Sequence, residues 1–286
     1  MFRMPYSRAT AAIAVAVAGT LFLGACSAPQ PAQTSPDKSS TTPAPGHAHG
    51  IYASTDGREV LVATHNGVLD YSTGVPKLLG EANDYMGFTG DGTVFYASGH
   101  PRPGSKQINP LGLLRSEDSG ASWTTLSNEG ISDFHALAVT RDGVVGYDGA
   151  LKTTTDFKSW SPAGSQPKVA ALAGRPETST VLATTESGVQ RSTDSGRTWA
   201  LVGSSPIVQF VSLASPEVAV GVAPDGSVYT SSNAGLTWTE AGSISGEVEA
   251  LYATTETSGA VFVWVFVNGG LQVSRDGGKS FAPFRP

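Results

Sequence analysis

Five histidines stand in this 286-residue sequence, and all fall between positions 47 and 135. They are His47, His49, His65, His100 and His135, and Met86 lies among them. Several imidazoles with one thioether suit copper, because thioether sulfur is soft and imidazole serves borderline metals. Without the thioether the same imidazoles would suit zinc. Asp84 and Asp133 can accept an imidazole N–H and so orient a ligating ring. This chemistry requires a fold that brings the residues together.

The fold signal is a repeat. Ser116-Glu117-Asp118-Ser119-Gly120-Ala121-Ser122-Trp123 returns as Ser192-Thr193-Asp194-Ser195-Gly196-Arg197-Thr198-Trp199. It returns again as Ser231-Ser232-Asn233-Ala234-Gly235-Leu236-Thr237-Trp238 and as Ser274-Arg275-Asp276-Gly277-Gly278-Lys279-Ser280-Phe281. A worn copy, Thr154-Thr155-Asp156-Phe157-Lys158-Ser159-Trp160, lacks the glycine. The aromatic ends at 123, 160, 199, 238 and 281 are 37, 39, 39 and 43 residues apart, a period that marks a propeller or a similar repeat fold. The side-chain oxygen of the Asp or Asn accepts bonds from its own turn, the glycine supplies a positive φ, and the aromatic opens the next strand. The motif is a folding device with no catalytic role.

Strand patterns between these turns parse into six blades of four strands, an all-β six-bladed β-propeller. The innermost strands are expected at His49–Thr55, Asp84–Thr89, Phe134–Thr140, Val169–Gly174, Val208–Ala214 and Val248–Thr254. A seventh blade would need strands from residues 26–46, whose composition opposes it. Strands of a blade alternate in direction, so the start of the first strand and the end of the second open on one face. The repeated turns lie on the other. His49, Met86 and His135 take equivalent places on three successive inner strands, with Glu249 in that place on blade six and only Ala170 on blade four. His65 and His100 end second strands. The expected metal set is therefore His49, His65, Met86, His100 and His135, with His47, Asp84, Asp133 and Glu249 as supporting or alternative ligands. The alternative is a polar funnel whose histidines hold no ligand. The insertion 99–110 opens on the same face, and its Arg102 and Lys106 could meet an anion; a proline-stiffened cover is the plainer reading.

Residues 1–25 read as a signal segment: Arg3 and Arg8, then an apolar run from Ala11 to Leu23 too short for a comfortable membrane span. Leu23-Gly24-Ala25-Cys26 resembles a bacterial lipobox, which implies lipidation of Cys26, the single cysteine. Residues 26–46, rich in Pro, Ser and Thr, read as a flexible tether. The expectation is an extracytoplasmic, lipid-anchored, monomeric protein whose propeller spans 47–286. A net charge of −6 argues against nucleic acid as a partner.

The repeated turn resembles the Asp-box, or BNR repeat, of sialidases, sortilin-type receptors and other propellers. The wider sequence is similar to bacterial lipoproteins labelled as glycosyl hydrolases or exo-sialidase-like proteins. The matching stretches include His49-Gly50, Thr64-His65-Asn66-Gly67, Met86-Gly87-Phe88, Ser98-Gly99-His100-Pro101, Asn109-Pro110-Leu111-Gly112-Leu113 and Asp133-Phe134-His135-Ala136-Leu137. That resemblance implies glycoside hydrolysis. Sialidases, however, hold their substrate with three arginines, the first in an early Phe/Tyr-Arg-Ile-Pro signature absent here, and they use a Tyr–Glu pair with an Asp acid/base. Arg115, Arg191 and Arg275 sit beside the repeated turns, on the wrong face. No carboxylate pair is favoured among Asp84, Asp133, Asp148, Glu186, Asp225 and Glu249. Resemblance to sortilin-type receptors and to the photosystem assembly factor implies instead a scaffold that binds peptides or proteins. Ligand binding with a metal site, hydrolysis and scaffolding remain the three readings.

Overall fold

A computed structural model describes residues 46–286; the signal segment, Cys26 and nearly all of the tether lie outside the described residues. The described chain is all β, in six four-stranded antiparallel sheets that follow one another along the sequence. Blade one is β1 (Ala48–Ala53), β2 (Val60–Thr64), β3 (Gly67–Asp70) and β4 (Lys77–Leu79). Blade two is β5 (Asp84–Gly90), β6 (Phe95–His100), β7 (Leu113–Ser116) and β8 (Thr124–Ser127). Blade three is β9 (Ala136–Thr140), β10 (Gly143–Tyr147), β11 (Leu151–Thr154) and β12 (Ser161–Pro162). Blade four is β13 (Leu172–Ala173), β14 (Val181–Thr185), β15 (Gly188–Ser192) and β16 (Ala200–Leu201). Blade five is β17 (Phe210–Leu213), β18 (Ala219–Val222), β19 (Ser227–Ser231) and β20 (Thr239–Ser243). Blade six is β21 (Val248–Thr255), β22 (Val261–Val267), β23 (Gly270–Ser274) and β24 (Ala282–Pro283). This is the six-bladed propeller the repeat predicts.

Second strands are largely apolar because both their faces are covered by neighbouring blades. β2, Val-Leu-Val-Ala-Thr, and β14, Val-Leu-Ala-Thr-Thr, are buried at every position. Between the sheets lie clusters such as Val60, Val62, Leu69, Trp264 and Phe266 at the meeting of blades six and one. Burying such side chains contributes about 1.5–3 kcal/mol each.

The repeated turns satisfy their own polar groups. Ser192 Oγ donates to Asp194 Oδ1 at 2.8 Å and accepts the Gly196 N–H at 2.9 Å. Asp194 also accepts the Thr198 N–H at 2.8 Å and the Thr198 hydroxyl at 2.6 Å. The turns at Asp118 and Asp276 repeat this scheme, and Asn233 repeats it with its amide donating to Thr237. Two consecutive residues take positive φ, Ser195 at 57° and Gly196 at 84°. The buried glycine also makes room: a Cβ at Gly196 would stand 2.6 Å from Val145 Cγ2 of blade three. Trp199 and Trp238 each donate their indole N–H back to the glycine carbonyl at 2.9 Å, which fixes the ring at the strand start.

Inner strands depart most from the expected boundaries. β13 has two residues in place of an expected Val169–Gly174, because Thr184 Oγ1 takes the Ala171 N–H and donates to the Gln209 carbonyl, interrupting the ladder. The third strand of blade two, β7, begins at Leu113, directly after Gly112 turns the chain at φ +70°.

Candidate metal centre

Three inner strands carry the same local irregularity. The pairing of β1 with β2 slips at His49, that of β5 with β6 slips at Met86, and that of β21 with β22 slips at Glu249. Each of these residues is the extra member of a bulge, which bends the strand and re-aims a side chain. The residues just before the first two are fully buried, Ala48 and Tyr85 at 0 % exposure, and Phe134 before His135 is the same. The buried residue anchors the strand, and of the residues that follow, His49 and His135 line the central channel. After the bulge comes a residue small enough for close passage of the neighbouring strand. A Cβ at Gly87 would lie 2.3 Å from the Phe134 carbonyl oxygen, and one at Gly50 would lie 2.9 Å from Phe88 Cβ.

His47, His49 and His65 come together at this mouth. One ligand nitrogen from each falls within 4.8 Å of the others. The rings of His49 and His65 meet edge to face with centroids 4.4 Å apart, and His47 lies 5.1 Å from His49 and 5.9 Å from His65. Asp84 Oδ1 stands 2.8 Å from His65 Nδ1. With Nδ1–H donated to that carboxylate, His65 keeps a lone pair on Nε2; His49 Nε2 lies 3.3 Å from that atom and 3.4 Å from His65 Nδ1. Burial, and then the neighbouring His65 and His47, push the His49 imidazole down to about 4, against a smaller opposing pull from Asp84. His49 is therefore neutral at pH 7, the state that ligates metal.

The other expected residues form a second group. Asp133 Oδ2 lies 2.5 Å from His135 Nε2 and 3.1 Å from His100 Nε2. His100 Nδ1 faces Asn109 Oδ1 at 2.7 Å. Asp133 Oδ1 is buried with no hydrogen-bond partner among the described residues. His100 and His135 thus meet on a carboxylate, and among the described residues only His47, His49 and His65 satisfy the ligand spacing for one ion. His49 and His135 share the wall of the central channel, about 170 Å³ in volume. Met86 is half-buried on the strand between them.

Glu249 does a different job. Its Oε2 accepts the Ala48 N–H at 2.9 Å and its Oε1 accepts the Gly269 N–H at 3.0 Å, so it clamps blade six to blade one beside His49. Arg102 is exposed in the insertion on the histidine face, and its main-chain N–H donates to Asn83 Oδ1 at 2.9 Å. Asn83, 2 % exposed, is a supporting residue that sequence reasoning passed over; its one signal was its place directly before Asp84. His47, first taken as an alternative ligand, stands inside the three-imidazole group.

No family model matches the chain, and no curated protein matches it. Solved structures do. The GH74 xyloglucanase from Xanthomonas campestris superposes with a TM-score of 0.61 at 19% identity, over 85% of this chain and 38% of that one. YCF48 from Cyanidioschyzon merolae superposes with a TM-score of 0.51 at 13% identity, over 82% of this chain and 97% of that one. The chain thus spans well under half of the xyloglucanase and nearly all of YCF48. At these identities both likenesses bear on architecture alone, and they place the chain among β-propeller proteins.

Proposed function

We propose that this chain is a ligand-binding propeller whose His47, His49 and His65 take up a metal ion, with copper preferred over zinc. One observation carries the reading: three imidazole nitrogens within 4.8 Å, with a carboxylate on the rear nitrogen of His65. A carboxylate behind a ligating histidine fixes its tautomer and raises its basicity. The preference for copper rests on Met86, half-buried at the equivalent bulge of the next inner strand.

Glycoside hydrolysis has less support. Asp84 and Asp133, the carboxylates at the channel mouth, are each tied to an imidazole and do not form a free acid and base pair. A scaffold reading has one observation in its favour: Ile108 and Ile131, 56% and 77% exposed, lie on loops of the histidine face. We further propose that the propeller works outside the cytoplasmic membrane, held by a lipid on Cys26. Incorporation of labelled fatty acid that is lost in Cys26→Ala tests that placement.

The test of the metal reading is metal analysis and competitive titration of the untagged full chain. One equivalent of copper, bound more tightly than zinc and lost in His49→Ala with His65→Ala, is expected. A chain that takes up neither metal overturns the proposal, and one that prefers zinc overturns the role of Met86.

A further inference from the structure

The insertion after β6 is fastened to the imidazole cluster by adjacent residues. Asp84 orients His65, and Asn83 holds the main chain of Arg102. The base of the insertion is closed by His100 Nδ1 on Asn109 Oδ1 at 2.7 Å, by the Leu111 N–H on the Gly99 carbonyl at 2.8 Å, and by the Gly130 N–H on the Pro110 carbonyl at 2.7 Å. Its two cations are uncommitted. Arg102 and Lys106 are exposed, and among the described residues neither lies within ion-pair distance of a carboxylate, whereas Arg58, Arg115, Arg175 and Arg197 each do. The cluster itself is open, for His47 and His65 are exposed and the group offers three nitrogens. Copper(II) prefers four or more donors in a tetragonal array, so three imidazoles leave a position to be filled from outside even with Met86 as a long axial donor.

We infer that the metal held by His47, His49 and His65 takes a small anionic ligand, a carboxylate or an anion of similar size, at that open position, with Arg102, an exposed cation on the same face, adding to the attraction. This rests on the metal reading above and extends it from an ion to an ion with its exogenous ligand. The charge of the ion is the largest local attraction for such an anion. Arg102 adds a second attraction, placed where the insertion leaves Asn83. A rigid mount matters here, because a long side chain on a mobile loop would lose more entropy on contact.

Azide is a suitable probe, since its binding to copper(II) produces a charge-transfer absorption. The full chain is loaded with one equivalent of copper(II) and titrated with azide, then with acetate in competition. A saturable band displaced by acetate is expected. Arg102→Gln is expected to weaken azide binding about three- to tenfold, the scale of one exposed charge, while copper content and thermal stability stay unchanged. Arg58→Gln, which removes the same charge at the β1–β2 turn on the opposite face, is expected to leave azide binding as it was. Failure to bind copper overturns the metal reading and this inference together. Copper uptake without an azide band overturns the open position alone, and an azide affinity indifferent to Arg102→Gln overturns the role of that arginine.

Discussion

Asp84 and His65 form a carboxylate–imidazole pair, 2.8 Å from Oδ1 to Nδ1, in which the ring's other nitrogen lies 3.3 Å from His49 Nε2. The pair links the start of blade two to the end of the second strand of blade one. It gives an exposed histidine a set tautomer. Asp84→Asn keeps the shape and loses the charge, and metal affinity is expected to fall about ten- to a hundredfold. Competitive titration with a chromophoric chelator measures this, and an unchanged affinity would remove Asp84 from the site.

The neutral His49 has a consequence for stability against pH. Its imidazole is held down to about 4 in the folded chain, against 6.5 in the unfolded one. Between those values the unfolded chain binds more protons, so stability rises with pH across that window and is flat above it as far as this group is concerned. Acidification from pH 6.5 toward 4 is therefore expected to lower Tm, with a smaller slope in His49→Gln. Equal slopes in the two proteins would show that other groups set the acid limb.

The repeated turns and the imidazoles are expected to separate cleanly in mutants. Asp194→Ala removes the acceptor of the Ser192 hydroxyl, the Thr198 N–H and the Thr198 hydroxyl. At about 0.5–1.5 kcal/mol per bond, and allowing for water replacing part of them, a loss of about 1–3 kcal/mol is expected. Copper content is expected to stay at the wild-type value. Denaturant unfolding and metal analysis together check this, and a loss of metal without a loss of stability would contradict the structural role of the turn.

Glu249 joins stability to the site. Glu249→Ala leaves the Ala48 and Gly269 N–H groups without their charged acceptor, and a loss of about 1.5–3 kcal/mol is expected for a bond to a charged group. Because Ala48 lies between His47 and His49, metal affinity is expected to fall as well. Glu249→Gln, which keeps one acceptor oxygen, is expected to restore part of both. A stability change with no change in metal affinity would separate the clamp from the cluster.

The propeller was legible because its turns are written in residues with fixed roles. Asp194 and Gly196 admit few substitutes, and their spacing survives in four copies. The equivalence of His49, Met86 and Glu249 was legible too, although the bulge that makes them equivalent was not: a one-residue slip inverts the alternation, but here too few strand residues precede it for the change of phase to be read. The grouping of the histidines was only partly legible. Strand order gives the face a residue opens on, but not the rotamer that sends His100 and His135 to Asp133 and leaves His47 beside His49. The length of β13 was hidden for a similar reason, because the Thr184 hydroxyl competes with the main chain for the Ala171 N–H.

Among the described residues each blade is built from four consecutive strands, and no strand of the first blade is lent to the last. The join between blades six and one is therefore made by packing around Trp264 and Phe266 and by the Glu249 clamp. Such a ring has a latch in place of a weld. It can part at that one line without any sheet losing a strand, and the three imidazoles stand on its lip. An ion seated there would act as a catch, so that slow hydrogen exchange along β1 and β21 would report whether the site is loaded.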